Sequence, residues 1–568
     1  MSLFSALQVS SNALKVNQLG LQIVSNNIAN ANTPGYIRQE FVQAAGPSYR
    51  FGESFLGQGV KPVGVQQRVD EFLLQSMRNA QSKLAHGERL DEVNSQLEAT
   101  LAELGDGDLS SSMSRFSNAM QDVANQPGNF AMRSLAIQRG KELAEGLRSL
   151  SAKVLEVRNN ADGAIPSITD RINHLTAEIA DLNQKIVEVE GGSISNSDAV
   201  GLRDERIKVL DELSTLINVQ AVEQDTGAVM VYVGGDYLVT DSIQRPLRTA
   251  VIENKENGFN RYEVQLVDTD SPLEVTGGEL KGQYDARDSA SATFFQRLDH
   301  LTQQIIRQVN RVHSQGQGTT GLSEAIGEPL LDDLDAPIEQ AGSRLQIDNG
   351  SFFIHLHDTA SGATKAHEIR IRQQGDANDT TVDGLLQQLN QINGLQASVS
   401  EDGRFQIRAA SSGTRFSFSQ DTSGVLASLG INTFFSGTSA NTIRVRDDLA
   451  KDPGRLAISL DGPGRGNGNA IALAEAFDQA DAALDGQSLR ENYEGLLSVT
   501  TQEINAQRAI TDGTRGFYQT LEARHLGMTG VNLDEEGVRM LMYQRAFQAS
   551  SRLIAVTSEL LDTLVNIV

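Results

Sequence analysis

Residues 3–28, LFSALQVSSNALKVNQLGLQIVSNNI, and residues 540–568, MLMYQRAFQASSRLIAVTSELLDTLVNIV, decide the reading of this chain. In the first, Leu3, Leu7, Leu14, Leu21, Val24 and Ile28 recur at steps built from three and four, with Ser10 and Asn17 in the polar gaps. In the second, Met540, Tyr543, Phe547, Ile554, Leu561, Leu564 and Val568 keep the same register, with Ser550 and Thr557 in the gaps. Leu7, Leu14, Leu21 and Ile28 form a strict seven-residue series, and so do Phe547, Ile554, Leu561 and Val568. A repeat near 3.5 residues describes a helix that lies along another helix. Two such stripes at opposite ends predict that the termini meet as a coiled coil, with the intervening chain as an excursion out and back.

Bulk composition bounds the function. A chain of 568 residues exceeds a single core, so three or more domains are expected. Asp and Glu number 73 against 48 Lys and Arg, a net charge of −25, which argues against nucleic acid and anionic membrane surfaces as partners. Cysteine is absent, which excludes disulfides, thiol nucleophiles and thiolate metal sites. No apolar run approaches the ~20 residues that span a bilayer, so no membrane insertion is expected. The first residues lack the pattern of a cleavable signal peptide, so an exported protein of this sequence needs another route.

The first helix runs into Ser25-Asn26-Asn27-Ile28-Ala29-Asn30, then Asn32-Thr33-Pro34-Gly35-Tyr36 and Arg38-Gln39. Asparagine competes for backbone hydrogen bonds, Pro34 disfavours helix at Thr33, and Gly35 permits a turn, so the helix stops and turns sharply here. This signature resembles the N-terminus of the bacterial flagellar axial proteins, the rod, hook and hook-associated proteins. Within that set, Arg38-Gln39 is similar to the hook-associated members of the hook–filament junction. Gly57–Val60, leading to Gln67–Phe72, looks like that family's next block. At the other end, Asn532 can cap the last helix, with Glu535 three residues on as in a capping box. Gly530-Val531-Asn532-Leu533-Asp534-Glu535-Glu536, the 543–550 segment and Glu559–Leu564 are similar to the axial C-terminal signature.

Between the ends, residues 69–216 read as mostly helix. Ile168, Ile172, Leu175, Ile179, Leu182, Ile186 and Val189 step 4-3-4-3-4-3, the cleanest seam in the chain. Ser110 to Ser112 offer N-caps after a break at Gly105–Asp108. Val229–Val233 and Tyr237–Val239 flank Gly234-Gly235-Asp236, a hairpin signal. Phe294 to Val312 returns to helical spacing, and a second β-rich stretch follows with Phe352, Ile354 and Leu356 alternating. Leu429–Gly437, with Asp452-Pro453 and Asn467–Leu473 downstream, also resembles the hook-associated family, and Leu473, Phe477 and Leu484 are expected to start the returning helices.

The fold class is therefore α+β and multidomain. Residues 1–35 plus 530–568 form a terminal coiled-coil assembly domain, and 36–217 plus 285–315 plus 440–529 a long, rod-like helical core. A small β domain at 218–284 and a β-rich outer domain at 320–439 are inserted between the helical parts.

Candidate chemistry is thin. His355 and His357 share one face of an expected strand, and with His367 would be the candidate metal ligands, but surface histidines account for them better. The helical zinc-protease motif is missing. Gly462–Gly468 lacks the Lys-Ser/Thr of a phosphate loop, and Asp106-x-Asp108 is too short for a calcium loop. Asn349-Gly350-Ser351 and Asn378-Asp379-Thr380 match the common glycosylation triplet. No catalytic residue, cofactor or metal ligand is assigned, and no enzyme is expected.

The reading is a structural self-assembling protein whose terminal stripes pair with each other and with neighbouring copies, gaining order on assembly. The resemblance implies placement on the extracellular flagellum between hook and filament, after export without cleavage. It implies as partners the hook protein, the next hook-associated protein and an export chaperone on the C-terminal helix. The alternatives are another axial protein of hook or distal-rod type, and a scaffold carrying an enzymatic or adhesive outer domain.

Overall fold

The computed structural model describes residues 3–33, 35–51, 54–102, 108–191, 199–253, 260–342, 347–376, 378–481 and 484–567. Helix dominates, and the sheets are small and antiparallel. The chain divides into two compact units, and the division falls within three long helices. The observed class is α+β and multidomain.

The first unit gathers residues 1–93, 159–289 and 505–568. Its first helix, Leu3–Ala29, and its last, Leu533–Ile567, pack along each other. After the first helix the chain forms strand Gln39–Ala45, which pairs with Val60–Gln67 across a bulge at Val42/Gln43. The rest of this unit is built on the 4-3 seam of the long helix Phe130–Glu190. Ile168, Ile172, Leu175, Ile179, Leu182 and Ile186 are all buried, while Val189, at the end of the series, is 52% exposed. The seam packs against Leu210 and Leu213 of helix Val200–Leu216 and against Val231, Val239 and Val264 of the small β structure. Each large side chain so buried stabilises by about 1.5–3 kcal/mol.

Polar residues on the same helix finish the sheet edge. Asn183 donates to the carbonyls of Val229 (2.8 Å) and Asp241 (2.7 Å) and accepts from the Val229 N–H (3.0 Å). Asn173 does the same for both backbone groups of Leu247, at 2.8 Å each. The expected hairpin is present, with strands Val229–Val233 and Asp236–Thr240 joined at Gly234 (φ +59°) and Gly235 (φ +95°). Two successive positive φ angles explain the paired glycines.

The second unit gathers residues 94–158 and 290–504. Its helical part closes on an aromatic cluster in which Phe116 meets Phe434 edge-on at 5.2 Å and Phe477 at 5.7 Å. Gly140 leaves room for Phe434, whose ring would lie 2.5 Å from an added Cβ. The β-rich part holds two three-stranded sheets. One centres on Gly350–Asp358 between Thr364–Ile371 and Thr414–Ser419. The other centres on Arg404–Ala409 between Glu324–Leu330 and Leu395–Val399. Phe352, Ile354, Phe405, Ile407, Phe416 and Phe418 fill their shared core.

Two local expectations change. The helix Leu109–Asn125 is capped by Asp108, whose carboxylate accepts from the Ser111 N–H at 2.5 Å, and not by Ser110 to Ser112. A carboxylate also complements the helix dipole, which serine does not. Phe477 and Leu484 lie outside the α-helices, Phe477 in a turn and Leu484 in a 3-10 turn: Gly468–Glu475 ends before them and the next long helix starts at Leu489. Both side chains are buried, so their apolar spacing reports core contacts made by irregular backbone.

Candidate assembly site: the paired terminal helices

The buried seam of the last helix runs Glu536, Met540, Tyr543, Phe547, Ser550, Ile554, Thr557, Leu561, in steps of four and three. Met540, Tyr543, Phe547, Ile554 and Leu561 are the residues the sequence singled out, and each is half-buried. The sequence placed Ser550 and Thr557 in gaps, yet they are the more deeply buried, at 7% and 6% exposure. Their hydroxyls donate to the carbonyls four residues back, of Ala546 (2.9 Å) and Leu553 (2.7 Å). That internal bond lets a small polar residue sit in a helix contact without an orphaned donor. Leu564 is described in its backbone only, and Val568 lies outside the described residues.

On the first helix the seam departs from the expected register. Ser10, Val16, Gly20, Ile23, Val24 and Asn27 are buried, whereas Leu3, Leu7, Leu14, Leu21 and Ile28 are half-buried on its flanks. Of the expected residues only Val24 is in the buried set. The cause is visible at Gly20, where an added Cβ would lie 2.6 Å from the Tyr543 ring. A small residue draws the axes together, and the larger leucines cover the sides.

At the end of this seam the signature residues close a polar clasp. Asn27, 1% exposed, donates through Nδ2 to the Gln39 carbonyl (2.9 Å) and to Glu536 Oε2 (3.0 Å). Its Oδ1 accepts from the Tyr36 hydroxyl (2.8 Å) and the Gln39 N–H (3.0 Å). Arg38 donates from Nε (3.0 Å) and Nη2 (2.5 Å) to Glu536 Oε1, and its Nη2 also meets Glu535 Oε2 at 2.9 Å. The Arg38 backbone N–H donates to the Thr529 carbonyl at 3.0 Å. Glu536 is fully buried and Arg38 nearly so, so the pair is charge-assisted and shielded from water. Burial works against the charge on Arg38, but its hydrogen bonds to Glu536 and Glu535 outweigh it and raise its pKa. Burial, reinforced by the Asp204 and Glu536 carboxylates, pushes the Tyr36 phenol up to about 12, so it stays a donor to Asn27.

Asn27, Tyr36, Arg38 and Gln39 are thus brought together, while Ser25, Asn26 and Ala29 face solvent. Ile28 and Asn30 are half-buried, Gly35 takes φ +73°, and Pro34 lies outside the described residues. Asn532 caps the last helix, accepting at Oδ1 from the N–H groups of Asp534 (2.9 Å) and Glu535 (3.3 Å). The Glu535 carboxylate goes to Arg38, and Leu533 is exposed. The sequence placed Glu536 only within the C-terminal signature; its burial beside Arg38 joins residues about 500 positions apart, and local pattern carries no such signal. Both ends are helical and packed along each other in the single chain, with the clasp at one end of the contact.

A second apolar stripe on the last helix has no cover among the described residues. Val538, Leu541, Met542, Leu553, Val556 and Leu560 are each at least half exposed. They lie about two residues on from the seam, which turns them to the opposite side of the helix. Phe4 on the first helix is 72% exposed.

Elsewhere, His355 and His357 do share a strand face, but His367 pairs with Ile354 and so points to the other side of the sheet. Among the described residues no group of three or more His, Asp or Glu is placed to hold a metal ion. Among the same residues, no helix is long and apolar enough to cross a membrane.

Three family descriptions match the chain in order. Residues 7–36 match the flagella basal body rod protein, 94–330 the flagellar hook-associated protein FlgK helical domain, and 523–567 the flagellar basal body rod FlgEFG protein C-terminal. Flagellar hook-associated protein 1 of Bacillus subtilis is 24% identical over 581 residues, covering 100% of this chain and 98% of that one. The protein of the same name from Escherichia coli is 23% identical, covering 99% and 100%. The solved structure of the flagellar hook junction protein FlgK from Burkholderia pseudomallei aligns with a TM-score of 0.49 at 14% identity, covering 79% of this chain and 99% of that one. With axial signatures matched at both ends and a hook-associated helical domain matched between them, the chain is similar along its whole length to flagellar hook-associated protein 1.

Proposed function

We propose that this chain is a structural, self-assembling component of the bacterial flagellum that forms the junction layer between hook and filament. The observation that carries the reading is the two-faced last helix, one stripe closed by the first helix and the other left open. Six large apolar side chains, each half to two-thirds exposed, forgo roughly half of the about 1.5–3 kcal/mol that full burial gives, which a ring of neighbouring copies recovers at every contact. The internal seam, made on the first helix by Ser10, Val16, Gly20, Ile23, Val24 and Asn27, then sets the unit, and the open stripe joins units. The names of the relatives denote structural flagellar proteins, which supports a role without catalysis.

In this reading the hook protein lies below the layer and the next hook-associated protein above it. Before export, a cytoplasmic chaperone covers the open stripe of the last helix. The flagellar export apparatus carries the chain to the cell exterior without a cleaved signal, and residues 218–284 and 320–439 face outward.

The test is a Leu553→Asp, Leu560→Asp double variant expressed in place of the native protein. Both residues are exposed, so the purified variant keeps its helix content and melting temperature. We expect it to be missing from isolated hook–basal bodies. Normal occupancy of the junction by the variant overturns the role given to the open stripe.

A further inference from the structure

The outward face of the sheet centred on Gly350–Asp358 carries a second site. Phe353, His355 and His357 follow one another along that face, their rings stacked in sequence at 6.5 Å and 6.4 Å with interplanar angles of 27° and 15°. Directly across the ladder, His355 faces Ala366 on one side and Ser417 on the other, and His357 faces Thr364 and Arg415. The imidazoles are held in place. His355 Nε2 is 2.7 Å from Ser419 Oγ, His357 Nε2 is 2.8 Å from Ser417 Oγ, and His357 Nδ1 is 2.9 Å from Thr364 Oγ1. The result is a flat, rigid row of three rings, half-buried, with small residues beside it.

Two segments wall the row into a cleft of about 850 Å³. One is residues 317–321, pressed so close that a Cβ on Gly321 would lie 2.7 Å from that of Arg415. The other is residues 460–465, which bring Leu460, Asp461 and Arg465 over the cleft. That volume is within the usual range of small-molecule sites.

Charge identifies the guest. Neither Arg415 nor Arg465 has a hydrogen-bond or ion-pair partner for its guanidinium among the described residues. Three arginines of the same β-rich part are paired: Arg370 with Glu368, Arg372 with Asp376, Arg408 with Glu324. In a chain of net charge −25, two unpaired arginines at one cleft mark a place for an anion. The backbone groups of the central strand are taken by both neighbours, so an extended peptide finds no main-chain partners on this face. A ring finds a flat apolar platform.

We propose that this cleft binds an acidic saccharide, a pyranose bearing a carboxylate. The carboxylate meets Arg415 and Arg465, the apolar face of the sugar lies on the Phe353–His355–His357 row, and ring hydroxyls reach Asp461 and Gln420. The proposal does not depend on the assembly role of the terminal helices.

The test is isothermal titration calorimetry of the full-length protein with trigalacturonate, with neutral maltotriose and triglutamate as comparison ligands. We expect saturable binding of trigalacturonate, and binding at least about tenfold weaker for maltotriose, for triglutamate and in an Arg415→Gln, Arg465→Gln double variant. Because neither guanidinium has a partner, that variant keeps the native circular dichroism. Phe353→Ala should weaken the acidic sugar as well, since it removes one ring of the platform. No saturable binding of trigalacturonate, equal affinity for maltotriose, equal affinity for triglutamate, or full binding by the arginine variant each overturns the assignment.

Discussion

Arg38→Ala should open the terminal helix pair. Its guanidinium is 4% exposed and holds the fully buried Glu536 through two nitrogens. Without it, the Glu536 carboxylate keeps, among the described residues, only the Asn27 amide at 3.0 Å. Breaking a buried ion pair by removing one partner costs about 3–5 kcal/mol, because the remaining charge is left in a site that cannot solvate it. The clasp ties the last helix to both the first helix and the segment after it, so the loss appears as opening of this pair. Amide hydrogen exchange reads that opening directly. Protection at residues 3–29 and 533–567 should fall by roughly 10²-fold to several thousandfold, while the buried strands at 350–358 and 404–409 keep theirs. Replacing both partners, Arg38→Met with Glu536→Leu, removes the uncompensated charge and should restore most of the protection. Exchange in Arg38→Ala within about threefold of the unmodified chain would refute the argument, and so would a native chain whose terminal helices show no protection at all.

Further consequences follow from individual contacts. Gly20→Ala improves intrinsic helix propensity by about 1 kcal/mol, yet the new methyl meets the Tyr543 ring, so the terminal pair should lose about 1–3 kcal/mol net; adding Tyr543→Ala should reverse the sign. A stabilised Gly20→Ala single variant in thermal melts would contradict the close approach. His313 is buried with Nδ1 2.7 Å from the Asn432 carbonyl and Nε2 accepting the Ala457 N–H at 3.1 Å, so a second proton has no acceptor. Burial drives its pKa from 6.5 down to about 4. The unfolded chain therefore takes up a proton that the folded chain refuses, and stability, full above pH 6.5, falls by on the order of 3 kcal/mol as pH drops toward 4. Calorimetric melts should show that slope in the native protein and a flatter one in His313→Gln; equal slopes would remove His313 as its source.

Much of this molecule was legible in the order of its residues. The 4-3 periodicity of 168–186 fixed a buried helical seam because apolar side chains on one helix face have no favourable alternative to burial. Gly234-Gly235 fixed a hairpin because only glycine takes two positive φ angles without strain. The apolar period at both ends announced a pairing between them. Which face of the first helix does the pairing was another matter. Hydrophobicity pointed to Leu7, Leu14, Leu21 and Ile28, but interaxial distance is set by the smallest residues in contact, and Gly20 against Tyr543 turned the helix away from its leucines. Burial of Asn27, Arg38 and Glu536 was equally hidden, since a polar residue is worth burying only when its partners are in place, and here the partners come from opposite ends of the chain. The sequence alone determined that two helices would seek each other; the contact face and the ionic clasp were decided only by tertiary structure, because both depend on groups that become neighbours after the chain has folded back on itself.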